Sequence, residues 1–199
     1  MVNKKKLTAG VAALILCITG VTYGTLAYFT DKDTRANVIT IGHVTGTLTE
    51  TDEHMRDDNT IGKDYTNVKP DVLDKDPTVT LDKGSEDAYV RVGINYDGLT
   101  MEQVSDIENR LDINAGWTKS EDGYYYYNEI LSNKTGAINS SKVFSKVTIP
   151  TEWGNEIAGI TFNINVKAEF IQSDNFTPVT DEAGNITGWG NVAIEKSLK

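Results

Sequence analysis

The chain has one cysteine and two histidines among its 199 residues, and that scarcity removes much chemistry from consideration. Cys17 lies inside an apolar leader, so the rest of the chain forms no internal disulfide and no thiolate metal site, and draws its stability from burial and hydrogen bonding. Leu16 precedes Cys17, where lipoprotein processing needs a small residue, which argues against a lipid anchor. His43 and His54 lie in strand- or loop-like sequence, not four apart on a helix with a glutamate between them, so the zincin motif is absent. There is no Gly-x-Ser-x-Gly elbow and no third histidine to act as base, and neither a phosphate loop nor a Rossmann fingerprint occurs.

Acidic residues are plentiful but unpatterned. Paired carboxylates serve glycosidases, and Asp71, Asp74 and Asp76 are candidates for calcium, yet no stretch has the EF-hand spacing with its glycine and terminal glutamate. A solvated acidic loop is the reading, with weak calcium binding as the alternative, and His54 beside Glu53 reads as a surface residue. No catalytic, cofactor-binding or metal-ligating residue is assigned, no cofactor is expected, and the chain does not read as an enzyme.

The leader is the clearest feature present. Lys4, Lys5 and Lys6 form a positive start, and residues 7–21 form an apolar run that is shorter than the ~20 residues a spanning helix needs. Thr25-Leu26-Ala27 then places small residues at the −3 and −1 positions of a signal-peptidase site, which predicts cleavage before Tyr28. An uncleaved signal anchor is the competing reading. Residues 1–27 are therefore expected to be a signal peptide, in contact with the membrane only until cleavage, and residues 28–199 a secreted, extracellular protein.

Removing the three leader lysines leaves sixteen basic against twenty-nine acidic residues, a net charge of −13. Such a surface repels nucleic acid and anionic lipid, so neither is expected as a partner. About 170 residues suffice for one domain with a continuous core.

Hydrophobic periodicity predicts a mainly β domain. Between residues 37 and 50 the apolar phase changes: Ile39 and Ile41 share one face while Val44 and Leu48 fall on the other. A one-residue slip near Gly42 implies a bulge, or an N-terminal arm (28–41) separate from the domain proper (42–199). Residues 51–76 read as a long loop or a set of short irregular strands. Strands are predicted over 78–81, 88–96, 143–149 and 161–170, the last central, with Phe162, Ile164, Val166, Ala168 and Phe170 inward and Asn163, Asn165, Lys167 and Glu169 outward. Tyr89, Arg91 and Asn95 likewise face out.

One helix interrupts this pattern. Thr100 caps it, Gln103 completes a capping-box spacing, and Met101, Val104, Ile107 and Leu111 recur at helical intervals. Trp117 to Tyr127 reads as a hairpin around Asp122-Gly123, with two of four adjacent tyrosines on each face, packing on the sheet in preference to stacking on a ligand. Asp181 to Asn185 forms a turn before Trp189. Many short alternating strands favour an antiparallel jelly-roll β-sandwich with one short amphipathic helix.

Thr25-Leu26-Ala27-Tyr28-Phe29-Thr30-Asp31 after a lysine-started leader, then Asn37-Val38-Ile39-Thr40-Ile41-Gly42 and a Thr-Gly-Thr-Leu strand, resembles the TasA/camelysin family of Gram-positive bacteria. Trp117, Asp122-Gly123-Tyr124-Tyr125-Tyr126-Tyr127, the strand from Phe144 and Val166-Lys167-Ala168-Glu169-Phe170-Ile171-Gln172 extend the similarity over most of the chain.

The resemblance implies a jelly-roll sandwich, cleavage at Thr25, Ala27 and Tyr28 by a dedicated signal peptidase, and assembly into matrix or surface fibres of the biofilm type. The arm, with Val38, Ile39 and Ile41 setting register, would pair as a strand with the next subunit, so the partners expected are further copies of the chain, the signal peptidase and an accessory assembly protein. Metal-dependent peptidase activity, described for some of the family, finds no ligand set here. A monomeric surface module binding carbohydrate or calcium is the other alternative.

Overall fold

A computed structural model describes residues 38–41, 44–55, 61–62, 71–153, 162–174, 176–190 and 192. The expected signal peptide, its junction at Thr25, Ala27 and Tyr28, and residues 28–37 of the arm lie outside the described residues. Among those described, no helix is long and apolar enough to cross a membrane.

The protein is mainly β. Fourteen short strands and one described helix follow one another: β1 (Val38–Ile41), β2 (Gly46–Thr49), β3 (His54–Met55), β4 (Ile61–Gly62), β5 (Val72–Asp74), β6 (Thr78–Leu81), β7 (Ala88–Asp97), helix α1 (Met101–Glu108), β8 (Trp117–Lys119), β9 (Tyr125–Tyr127), β10 (Ser140–Lys142), β11 (Lys146–Thr148), β12 (Asn163–Gln172), β13 (Val179–Thr180) and β14 (Ile186–Gly188). The largest sheet has the order β1-β12-β7-β9-β8, and a second has β10-β6-β2. Three two-stranded ribbons, β11-β5, β13-β14 and β3-β4, complete the set.

The long antiparallel pair β7–β12 is the spine. All ten residues of each strand are in register, from Asn163 opposite Asp97 to Gln172 opposite Ala88. Strict alternation supplies Val90, Val92, Val166, Ala168 and Phe170 to one face, where they meet Val44, Val79 and Leu81 from the region of the second sheet and Ile107 from α1 in one buried cluster. Each such side chain contributes roughly 1.5–3 kcal/mol by leaving water. The ring of Phe170 lies directly against Gly46, where a Cβ would stand 2.5 Å from ring carbon Cζ. Only a residue without a side chain lets β2 approach so closely.

Helix α1 begins as its sequence dictates. The Thr100 hydroxyl accepts from the Gln103 amide and the Gln103 side chain accepts from the Thr100 amide, a complete capping box. Ile107 is its buried anchor, whereas Met101, expected on the apolar stripe, is 91% exposed.

Of the strand expected over 143–149 only Lys146–Thr148 forms, paired with β5; Ser140–Lys142, just before it, pairs with β6 in a different sheet, and Val143 and Phe144 between the two are fully buried. The Val143-Phe144 pair lies in the crossover between the sheets, which periodicity alone does not distinguish from a buried strand.

Candidate functional site

The arm residues singled out in the sequence fall on β1, an edge strand. Val38, Ile39, Thr40 and Ile41 pair in parallel with Ala168, Glu169, Phe170 and Ile171 of β12. β1 thus covers one edge of the sheet's spine, and parallel neighbours are joined only through long connections. The next strand, β2, belongs to the other sheet and pairs with β6. β1 and β2 therefore lie in different sheets, while Gly42 itself lies outside the described residues.

Immediately beyond, the chain is fixed. Val44 is buried, the Thr45 amide donates to Ser85 Oγ at 2.9 Å, and the Thr45 carbonyl accepts from the Asp82 amide at 2.9 Å. Val44 and Thr45 are thus an anchor point of the chain. β1 lies upstream of that anchor, along β12.

The opposite, outer face of the same sheet was expected to be polar, and here the structure differs. Arg91 and Glu169 stand opposite each other on β7 and β12 and are both buried, Glu169 to 2% exposure. Arg91 Nε and a terminal guanidinium nitrogen donate to Glu169 at 2.8 and 2.7 Å, and Lys167 Nζ lies 3.1 Å from the other carboxylate oxygen.

A second terminal nitrogen donates to the Tyr126 hydroxyl at 3.1 Å, which in turn donates to Asp122 at 2.6 Å. The guanidinium carbon is 4.0 Å from the Tyr124 ring centre and 4.4 Å from that of Trp189. Burial, followed by the hydrogen bond to Asp122, pushes Tyr126 up to about 12.

What covers this pair is a small second core. Tyr126, Ile171, Ile186 and Trp189 are buried together, with Tyr89, Tyr124, Phe176 and Val192 packed around them. Segment 176–190, containing β13 and β14, is tied down through Ser120 Oγ donating to the Thr187 carbonyl at 2.6 Å and the Ile186 amide donating to Asn128 at 2.9 Å. The expected hairpin β8–β9 is present, with Gly123 at positive φ, and its tyrosines divide as expected: Tyr125 and Tyr127 join the main core, Tyr126 the second.

The signal for this second core was in the sequence, in Tyr89 and Arg91 on one strand and Tyr124 and Tyr126 on another sharing an outward phase. It was unreadable without the cover, which comes from residues far along the chain.

Among the described residues no three His, Cys, Asp or Glu side chains gather in a metal-like group. Asp76 instead accepts from the Thr51 amide and hydroxyl at 2.8 and 2.7 Å and from Lys142 at 3.3 Å. Burial pushes its carboxyl up, but these partners together hold it below the ordinary value. Asp71 accepts from the Val72 amide, and Glu50 pairs with the buried Lys75. His54 lies on β3, Glu53 accepts from the Glu50 amide, and His43 lies outside the described residues.

No protein-family model, curated protein or solved structure matches this chain.

Proposed function

We propose that the chain is a secreted structural subunit of extracellular or cell-surface fibres of the biofilm-matrix type, built as a jelly-roll β-sandwich and assembled by donation of the N-terminal strand. The observation that carries this reading is the placement of β1: four residues laid in parallel on the edge of β12, upstream of the anchor at Val44 and Thr45. A strand held at an edge by a main-chain ladder is exchangeable for the same strand of another copy, because the ladder is identical in both arrangements. Loss of β1 from its own sheet leaves Ala168 to Ile171 as an open edge, which templates strand addition.

The leader and the TasA/camelysin resemblance support the rest: export, removal of residues 1–27 and homopolymer formation. A head-to-tail contact of this kind extends into a filament unless its rotation closes into a ring. The net negative charge restrains lateral clumping of the filaments. No active site is needed for this function.

The test compares residues 28–199 with a form lacking 28–41 and with Ile39→Pro/Thr40→Pro, in which one of two adjacent prolines removes a ladder donor because successive N–H groups of an edge strand alternate between partner and solvent, by light scattering and electron microscopy over days. Filaments from the first alone are expected. Filaments from the truncated form, or monomers in every case, refute self-assembly by strand donation.

A further inference from the structure

The outer face of β7 and β12 changes character beyond Arg91. Its outward positions there are Gly93, Asn95 and Asp97 on one strand and Asn163, Asn165 and Lys167 on the other, in register as Gly93–Lys167, Asn95–Asn165 and Asp97–Asn163. Asn95, Asp97, Asn163 and Asn165 are all exposed. Glycine, asparagine and aspartate are the residues strands use least. The inward positions of the same stretch, Ile94, Tyr96, Ile164 and Val166, are ordinary strand formers.

Five poor strand formers on one face of the two longest strands are therefore not a feature of the strands as such. Gly93 makes room for the Tyr124 ring, but the local rule broken at the four exposed polar positions buries nothing, and such a break marks a surface kept for another purpose.

The arrangement is also fixed in advance. Asp97 accepts from Asn95 Nδ2 at 3.0 Å with one carboxylate oxygen and from Asn165 Nδ2 at 2.6 Å with the other. Both amides are thereby oriented, and their carbonyl oxygens have no partner among the described residues. The half-buried Tyr124 ring borders this floor at Gly93, where a Cβ would meet it at 3.3 Å. Four residue steps from Gly93 to Asp97 give a flat strip about 14 Å long.

We propose that this strip is a binding platform for an uncharged polysaccharide, with Asn95, Asn165 and Asp97 as the recognising residues and Tyr124 as its aromatic border. Oriented amide and carboxylate groups match rows of hydroxyls, which both donate and accept. Charge narrows the ligand class. On the strip the half-exposed Lys167 ammonium and the Asp97 carboxylate offset each other, so the bias against anionic polymers comes from the net negative charge of the chain.

The test is affinity electrophoresis of the protein in gels containing a neutral β-glucan, mannan or xylan, with alginate as the anionic control. Retardation by at least one neutral polymer is expected. The double substitution Asn95→Thr/Asn165→Thr should weaken it at least tenfold while leaving the melting temperature unchanged or higher, since threonine suits a strand. Asp97→Ala, at an exposed strand end, releases both amides and should weaken binding to a similar degree.

The proposal is overturned if no neutral polymer retards the protein, if alginate alone does, or if both variants bind undiminished. It is also overturned if the face proves to join copies of the chain, seen as a concentration-dependent size that the double variant abolishes without any glycan binding.

Discussion

Replacing Arg91 by methionine isolates the energetics of the outer core. The substitution keeps an unbranched side chain between Tyr124 and Trp189 but withdraws both guanidinium hydrogen bonds from Glu169, whose carboxylate is 2% exposed and left with Lys167 alone. Tyr126 loses a donor as well. Breaking one side of a buried pair costs about 3–5 kcal/mol, because the remaining charge is neither solvated nor paired. At roughly 2–4 °C per kcal/mol for a domain of this size, the melting temperature should fall by about 10 °C.

Arg91→Met/Glu169→Leu removes both charges and should recover most of the loss, to within about 1 kcal/mol of the parent. Urea denaturation at pH 7 measures parent, single and double variant. A single variant costing under about 1 kcal/mol, or a double variant no better than the single, refutes the view that the pair is buried and mutually dependent.

Gly46→Ala drives a methyl into the Phe170 ring and should cost about 1–3 kcal/mol in urea denaturation; combining it with Phe170→Leu should make the glycine substitution cheaper. Asp76 contributes stability that is present above its ordinary value of 3.8 and lost as pH falls through its lower folded-state pKa, so Asp76→Asn should flatten the acid limb of a stability-versus-pH curve. Thr100→Ala removes one half of the capping box and should cost about 1 kcal/mol by the same denaturation assay.

Local signals in the sequence corresponded to local structure. The capping box at Thr100 and Gln103, the Asp-Gly turn between β8 and β9, and the alternation in β7 and β12 each depend on a few neighbouring residues and elementary backbone geometry. Periodicity misled where an apolar pair lies in a crossover between sheets, at Val143 and Phe144, and where polar residues facing out from two paired strands are covered by another part of the chain, at Arg91 and Glu169. Periodicity reports which side of a strand a residue occupies. It does not report what lies on that side.

By itself the sequence determined the mainly β character, the position of the helix, the inward residues of the long strands and the absence of the familiar catalytic motifs, because these follow from side-chain chemistry and short-range spacing. Only the tertiary structure decided that β1 lies in parallel on β12, that Phe170 needs a glycine opposite it, and that Arg91 and Glu169 are sealed beneath Trp189. Each joins residues distant along the chain, and such a juxtaposition is selected by the burial and pairing of the whole fold, to which no single segment's pattern has access.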